Sequence, residues 1–354
     1  MKQIPIAILA ILLAASCTDS NDKVENETSD SGTNYRLTSS TEVIVTSEQG
    51  DRMAVKRNVS FSDGVAKGTV ISVHPDIRKQ TLTGIGSSFT ESSAFVLAHL
   101  DKETRDKVMA DIYSDSGANF SLARTVVGAT DFAVTGKYSY APVAGDAELE
   151  YFSIAVDDDG FQKSDYPGIQ DEAFDLLPMI REALAIKAAQ EDQEFRIVAS
   201  AWTAPPRMKD IEDWYVGGTP DNYGQGTGGN LKKEYEATYA DYLVKYLDAY
   251  DAEGIDIWGM TPVNEPHGNS GQWESMHFSP ESQRDFIKDL LGPKLRASAH
   301  PDTRILTYDQ NRDQVEHWTD VVLGDPDASQ YIYGTAVHWY ASTNRVFEET
   351  LNRL

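Results

Sequence analysis

Six short apolar runs, at 82–89 (LTGIGSSF), 120–127 (FSLARTVV), 195–202 (FRIVASAW), 255–263 (IDIWGMTPV), 305–308 (ILTY) and 332–339 (IYGTAVHW), are separated by amphipathic stretches. This alternation constrains the fold more than any other feature of the chain. Apolar runs of this length read as strands, and Leu177/Ile180/Leu184 and Tyr235/Tyr239/Leu243/Leu247 recur at helical spacing between them. The second of these helices is expected to end at Gly254, a residue suited to a left-handed cap, immediately before a strand. Another opens on Ser279-Pro280-Glu281, an N-cap followed by proline at the first helical position, and is expected to stop at Gly292-Pro293. Strands alternating with helices imply a parallel sheet, either open and doubly wound or closed as a barrel.

The placement of polar residues separates these two. A polar or aromatic cluster accompanies most of the runs: Glu91, then Arg124 and Asp131, then Trp202, then Asn264-Glu265, then Asp309 and Asn311, then His338-Trp339-Tyr340. Functional groups delivered at the C-terminal ends of many strands mark a barrel site, whereas a nucleotide-binding sheet concentrates its signal in one glycine-rich turn. Gly84-Ile85-Gly86 matches such a turn only in part, because Phe89 stands where the third glycine belongs. The segment 224–229 (GQGTGG) lacks both the preceding strand and the lysine of a phosphate loop. The expected fold is therefore a (β/α)8 TIM-barrel type over 81–354, incomplete at about six strand–helix units. The alternating residues of 42–47 and 68–74 predict short antiparallel strands within a preceding segment, 35–80.

Before that lies a targeting segment. Lys2 precedes the apolar run 4–15 (IPIAILAILLAA), too short to span a bilayer but suited to the core of a secretory signal. Ala14, Ala15 and Ser16 stand directly before Cys17, as at a bacterial lipoprotein processing site, so 1–17 reads as a lipoprotein-type signal with a lipid-modified Cys17. The polar, acidic stretch 18–34 then reads as a flexible tether. On this reading the protein is exported and held at the bacterial outer membrane, facing periplasm or surface, and it meets the membrane only through that anchor.

Charge and composition exclude several function classes. With 31 Lys plus Arg against 56 Asp plus Glu, the formal charge is −25, which repels phosphate backbones and argues against nucleic-acid binding. One cysteine excludes an intramolecular disulfide framework and multi-cysteine metal sites. None of the seven histidines forms a His-x-x-x-His pair, so neither a protein-held catalytic metal nor another cofactor is expected.

The strongest local element is Thr261-Pro262-Val263-Asn264-Glu265-Pro266. A carboxyl group at the end of an apolar strand, stopped by proline, projects into a barrel mouth. Partial burial there raises the pKa of such a group, as a general acid near neutral pH requires. Asn264 can donate its amide to a sugar hydroxyl in the same place, and Trp202, Trp273 and Trp339 offer flat faces to sugar rings. Taken singly, Glu265 fits a loop ion pair equally well and each tryptophan fits a core position; together they favour carbohydrate chemistry.

The segments 120–132 (FSLARTVVGATDF), 202–208 (WTAPPRM), 254–266 (GIDIWGMTPVNEP), 286–295 (FIKDLLGPKL) and 321–340 (VVLGDPDASQYIYGTAVHWY) resemble glycoside hydrolase family 30, above all its glucosylceramidase branch. The resemblance runs from about residue 80 to the end. It implies a (β/α)8 barrel with a side β-structure built from both chain ends, the strands of 35–80 being its N-terminal part. It also implies a retaining β-glycosidase acting on β-linked glucose, with two carboxyl groups about 5–5.5 Å apart. By this resemblance Glu265 is the acid/base, Asn264 contacts the sugar 2-hydroxyl, and Asp131 and Trp202 bind hydroxyls of the terminal sugar. Arg124 lies beneath the catalytic pair and holds its carboxylates. His338 and Tyr340 belong to the motif of the sixth strand, with Tyr340 bonded to the nucleophile, and Trp339 lines the pocket. Asn311 stands where the branch usually has glutamine. The family's nucleophile follows the seventh strand; Glu348 and Glu349, in the helix-like 346–354 (VFEETLNRL), read as helix-surface acids, so the nucleophile is expected beyond Leu354 and the chain as a fragment. Other members suggest a β-1,6-glucanase or xylan-directed enzyme. A non-catalytic carbohydrate-binding protein and a metal-dependent barrel hydrolase are the alternatives from other classes.

Overall fold

The computed structural model describes residues 41–60, 68–74, 76–190, 194–218, 227–268 and 271–340. Cys17, the tether, Glu348 and Glu349 lie outside the described residues. Contacts divide the chain into Met1–Gln80 and Thr81–Leu354. No described helix is long and apolar enough to cross a membrane.

In the first unit, β1 (Thr41–Val45) pairs antiparallel with β2 (Ala54–Val59), with Ile44 opposite Val55. The expected strand at 42–47 is present, but 68–74 is not a strand. The turn between β1 and β2, closed by Ser47 N–H to Asp51 C=O at 3.0 Å, brings the following segment alongside at once. A short loop costs less entropy to close than the longer one that 68–74 requires.

The second unit is one sheet of six parallel strands in chain order: β3 (Gly86–Ser88), β4 (Leu122–Val127), β5 (Arg196–Ala201), β6 (Gly259–Thr261), β7 (Arg304–Asn311) and β8 (Ile332–His338). Helices fill every connection: α1 (Glu91–Ala98) and α2 (Lys102–Tyr113), α3 (Leu176–Ala188), α4 (Glu236–Ala252), α5 (Pro280–Phe286) with α6 (Gly292–Ala297), then α7 (Val315–Val322) and α8 (Pro326–Ser329). Among the described residues the sheet has two edges, β3 and β8, and does not close. All six expected runs carry a strand, although those at 82–89 and 255–263 shrink to three residues each.

α4 buries Tyr239, Tyr242, Leu243, Tyr246, Leu247 and Tyr250, and Gly254 follows it at φ +76°. α5 has the expected start, a capping box in which Ser279 and Ser282 bond each other's backbone N–H. Its expected stop is wrong. A π-turn at Ile287–Leu291 carries the helix into α6, placing Pro293 in a first turn where its missing N–H is tolerated. Gly292 is there for space, since a Cβ would sit 2.3 Å from the Tyr331 ring.

Behind the sheet, Asp157 is buried and accepts hydroxyls from Tyr140 at 2.7 Å, Tyr250 at 2.8 Å and Tyr138 at 3.2 Å. This ties the long connection after β4 to α4.

Candidate active site

A cleft of about 1170 Å³ opens along the sheet, lined by Arg124, Asp131, Trp202, Asn264, Glu265, Trp273, Asp309, Asn311, His338, Trp339 and Tyr340. Side chains from five successive strands or the loops that follow them therefore share one space. Parallel strands present their C-terminal ends on one side, which is why residues far apart in the chain meet there.

Glu265 follows β6 at φ +50°, in the left-handed region, with its N–H donating to the Asp309 carbonyl at 2.9 Å. Its Oε1 is 3.1 Å from His338 Nδ1. Its Oε2 has no hydrogen-bond partner among the described residues. His338 turns its other nitrogen to Asp309, with Nε2 and Oδ1 2.9 Å apart. Both ring nitrogens thus face carboxyl oxygens, an arrangement that favours the imidazolium, which donates from both. Burial disfavours that charge, yet the hydrogen bonds to Asp309 and Glu265 outweigh it and carry the His338 pKa up to about 9.

Asp309 is buried, and burial alone pushes its pKa up. The Arg124 guanidinium and the bonds from His338 and Thr261 reverse this and hold it at about 2. Arg124 Nη2 and Thr261 Oγ1 donate to Asp309 Oδ2 at 2.8 and 2.6 Å. Arg124 also donates to Asn264 Oδ1 at 2.8 Å and Ser200 Oγ at 3.0 Å, and its guanidinium lies 4.8 Å over the Trp202 ring. Trp202 Nε1 in turn donates to Asp131 Oδ1 at 3.2 Å.

The expected site residues Glu265, Arg124, Asp131, Trp202, Asn264, Asn311, His338, Trp339 and Tyr340 are thus brought to one cleft. Arg124 forms its salt bridge with Asp309. One expectation changes. Glu91 does not line the cleft; it is buried in the first turn of α1 and accepts Val134 N–H at 2.6 Å and Thr135 N–H at 3.0 Å, bracing the loop after β4. Asp309 itself is the group that sequence reasoning undervalued. Its signal was its place at the end of β7, beside Asn311.

A charged relay of this kind, Arg124–Asp309–His338–Glu265, orients one carboxyl group toward a space walled by Trp202, Trp273 and Trp339. Among the described residues no cluster of histidine, cysteine or acidic groups could hold a metal ion.

The chain is similar to known proteins over most of its length. The family model described as Glycosyl hydrolase family 30 TIM-barrel domain matches residues 82–353. The chain is 28% identical over 319 residues to the lysosomal acid glucosylceramidase of Mus musculus, covering 86% of this chain and 56% of that protein. It is 29% identical over 269 residues to an endo-1,6-beta-D-glucanase of Neurospora crassa, covering 76% and 50% respectively. The crystal structure of SrfJ from Salmonella typhimurium aligns with TM-score 0.68 at 27% identity, covering 82% of this chain and 58% of that one. The chain spans about half the length of the curated relatives it matches.

Proposed function

The chain belongs to glycosyl hydrolase family 30, and on that footing we propose that it supplies the acid/base side of a retaining β-glycosidase acting on β-linked glucose. The observation that carries this is Glu265: one carboxyl oxygen is gripped by His338, while the other has no hydrogen-bond partner among the described residues, in a cleft lined by tryptophans. In the first half-reaction Glu265 gives its proton to the glycosidic oxygen as the aglycone leaves. In the second it takes a proton from the water that releases the sugar. Asn264, whose Oδ1 accepts from Arg124, can donate its amide N–H to a sugar hydroxyl. Asp131 and Trp202 bind other hydroxyls of the same ring. The nucleophile of the retaining pair is expected outside the described residues.

The glucosylceramidase relative favours a glucoside with a lipid aglycone. The glucanase relative supports a second reading, cleavage of a β-1,6-glucan. Incubating the whole protein with glucosylceramide micelles and with β-1,6-glucan separates the two by which one releases sugar. In either case Glu265→Gln is expected to slow an unactivated substrate by roughly 10²–10⁴-fold. It is expected to spare activated aryl glucosides in the first step, with azide speeding release of the intermediate. Near-native turnover on the unactivated glucoside would defeat the assignment.

We also propose export with lipidation at Cys17. The protein is then expected in the detergent phase of a Triton X-114 partition, and Cys17→Ser in the aqueous phase; equal partition of the two would exclude the anchor.

A further inference from the structure

We propose that Gln283, on α5 and outside the cleft, is a positioning residue that holds the bulge of β7 and thereby aims Asp309 at His338. The proposal rests on the reading of the cleft as the working site. Its test reads a proton rather than a product, so the two fail separately.

After one register shift between Ile305 and Leu306, β7 pairs with β8 residue by residue from Leu306, opposite Gly334, to Tyr308, opposite Ala336; the next pair is Gln310 with Val337, so Asp309 is an extra residue with no partner in β8. Tyr308 and Asp309 both lie in the left-handed region, at φ +75° and +59°, which side-chain-bearing residues rarely adopt and seldom adopt consecutively. Such a conformation persists only where its surroundings over-determine it. Two contacts do so from opposite sides. On the side of β6, the Asp309 carbonyl accepts the Glu265 N–H. On the helix side, Gln283 is fully buried and its Oε1 accepts the Tyr308 N–H at 3.1 Å, the Thr307 hydroxyl and the Trp318 indole N–H at 2.8 Å. Two of those three groups can only donate, so the amide oxygen is the atom that faces them. The Gln283 Nε2, by contrast, is buried with no hydrogen-bond partner among the described residues. A buried glutamine that satisfies only its oxygen is placed there for that oxygen.

The consequence reaches the cleft through one residue. If the Tyr308 N–H loses its acceptor, the bulge relaxes toward regular strand geometry, and the Asp309 side chain leaves the position between Arg124 and His338. His338 is faced directly by Asp309 and Glu265, by Arg124 through Asp309, and by the Tyr340 ring at 6.4 Å. Its titration therefore reports where Asp309 stands.

The test is an NMR titration of His338 in the chain carrying Gln283→Met, which keeps the volume and removes the oxygen. The expected result is a midpoint lower than native by about one pH unit or more. Gln283→Glu, which keeps the acceptor, is expected to restore the native midpoint. Trp318→Phe, which removes a different donor from the same oxygen, is expected to leave it in place while lowering thermal stability, separating aim from packing. A native midpoint in Gln283→Met overturns the proposal. Should that variant fail to fold, Gln283→Asn, whose oxygen is withdrawn by one methylene, replaces it, and a native midpoint there overturns the proposal equally.

Discussion

The Glu265 N–H donates to the Asp309 carbonyl at 2.9 Å, and both residues stand in the left-handed region, at φ +50° and +59°. Each such residue costs about 1–3 kcal/mol, and the pair is stabilised by the contacts its strain makes possible. Bending β7 and the turn after β6 in this way brings two carboxyl groups to opposite nitrogens of one imidazole. Asp309 then acts on Glu265 without touching its side chain: it charges His338, and His338 fixes the Glu265 carboxyl.

Asp309→Asn keeps the shape of this arrangement and removes its charge. The His338 midpoint is expected to fall from about 9 toward the ordinary 6.5. The sign for stability follows from linkage. A histidine whose folded pKa is raised contributes stability fully present below 6.5 and lost as pH rises through about 9. The native protein should therefore lose melting temperature between pH 7 and 10, and the variant should lose less over that interval. An unchanged slope would show that Asp309 does not hold the His338 charge.

A second pH effect lies behind the sheet. Burial pushes Asp157 up to about 7, against the lowering effect of three tyrosine hydroxyls, and pushes Asp175 up to about 6. Both are raised above their unfolded value of 3.8, so their contribution is full below that value and lost as pH rises through 6 to 7. Asp157→Asn keeps an oxygen for Tyr140 and Tyr250 and presents an amide to Tyr138, whose hydroxyl can turn to accept. Its stability at pH 8 relative to pH 5 should exceed the native ratio by on the order of 2–4 kcal/mol, measured by urea unfolding. Parallel curves for the two proteins would contradict the burial of a charge at Asp157.

The sequence carried the sheet and the cleft, because apolar runs ending in polar clusters are local signals. Glu265, His338 and Trp202 were legible in the sequence, since Trp202 directly follows its strand, His338 ends one, and Glu265 closes the short turn after β6. What stayed hidden depends on neighbours distant in the chain. Asp309 enters the relay through a bulge of two left-handed residues, which no periodicity announces. Glu91 looked like a cleft carboxylate, but its partners are the backbone of Val134 and Thr135. The α5–α6 helix runs past Gly292-Pro293 because a π-turn absorbs the break. The segment 68–74 has the alternation of a strand but loses its partner to the nearer β2.

Lys209 offers a prediction about the loops around the cleft. It is fully buried, and its ammonium donates to the carbonyls of Trp214 at 2.8 Å, Gly228 at 2.9 Å and Ser275 at 2.8 Å. Three separate loop segments therefore meet at one cation, and Ser275 is two residues from the cleft tryptophan Trp273. Lys209→Met fills the same space but leaves these carbonyls without their donor, at about 1–3 kcal/mol for each that stays dry. Unfolding should shift to lower urea, and hydrogen exchange near Trp214 and Ser275 should quicken while α4 keeps its protection. Uniform exchange changes across the chain would argue against a local tie.

The helix that passes through Gly292 can be tested by volume alone. A Cβ at this position would lie 2.3–2.7 Å from three carbons of the Tyr331 ring, closer than carbon atoms approach without displacement. The ring is not free to yield, because the Arg296 guanidinium stacks 4.1 Å from its centroid and Arg296 also donates to Gln330. Gly292→Ala would gain helix propensity of up to about 1 kcal/mol at an ordinary interior position. Here the overpacking term of about 1–3 kcal/mol opposes it, and the net effect is destabilising. Tyr331→Ala removes the obstacle at its own cost. In the double variant the alanine at 292 should then be neutral or stabilising, so the two changes are expected to couple by more than 1 kcal/mol in a double-mutant cycle. Additive losses would mean that Gly292 is required for its backbone rather than for the ring it faces.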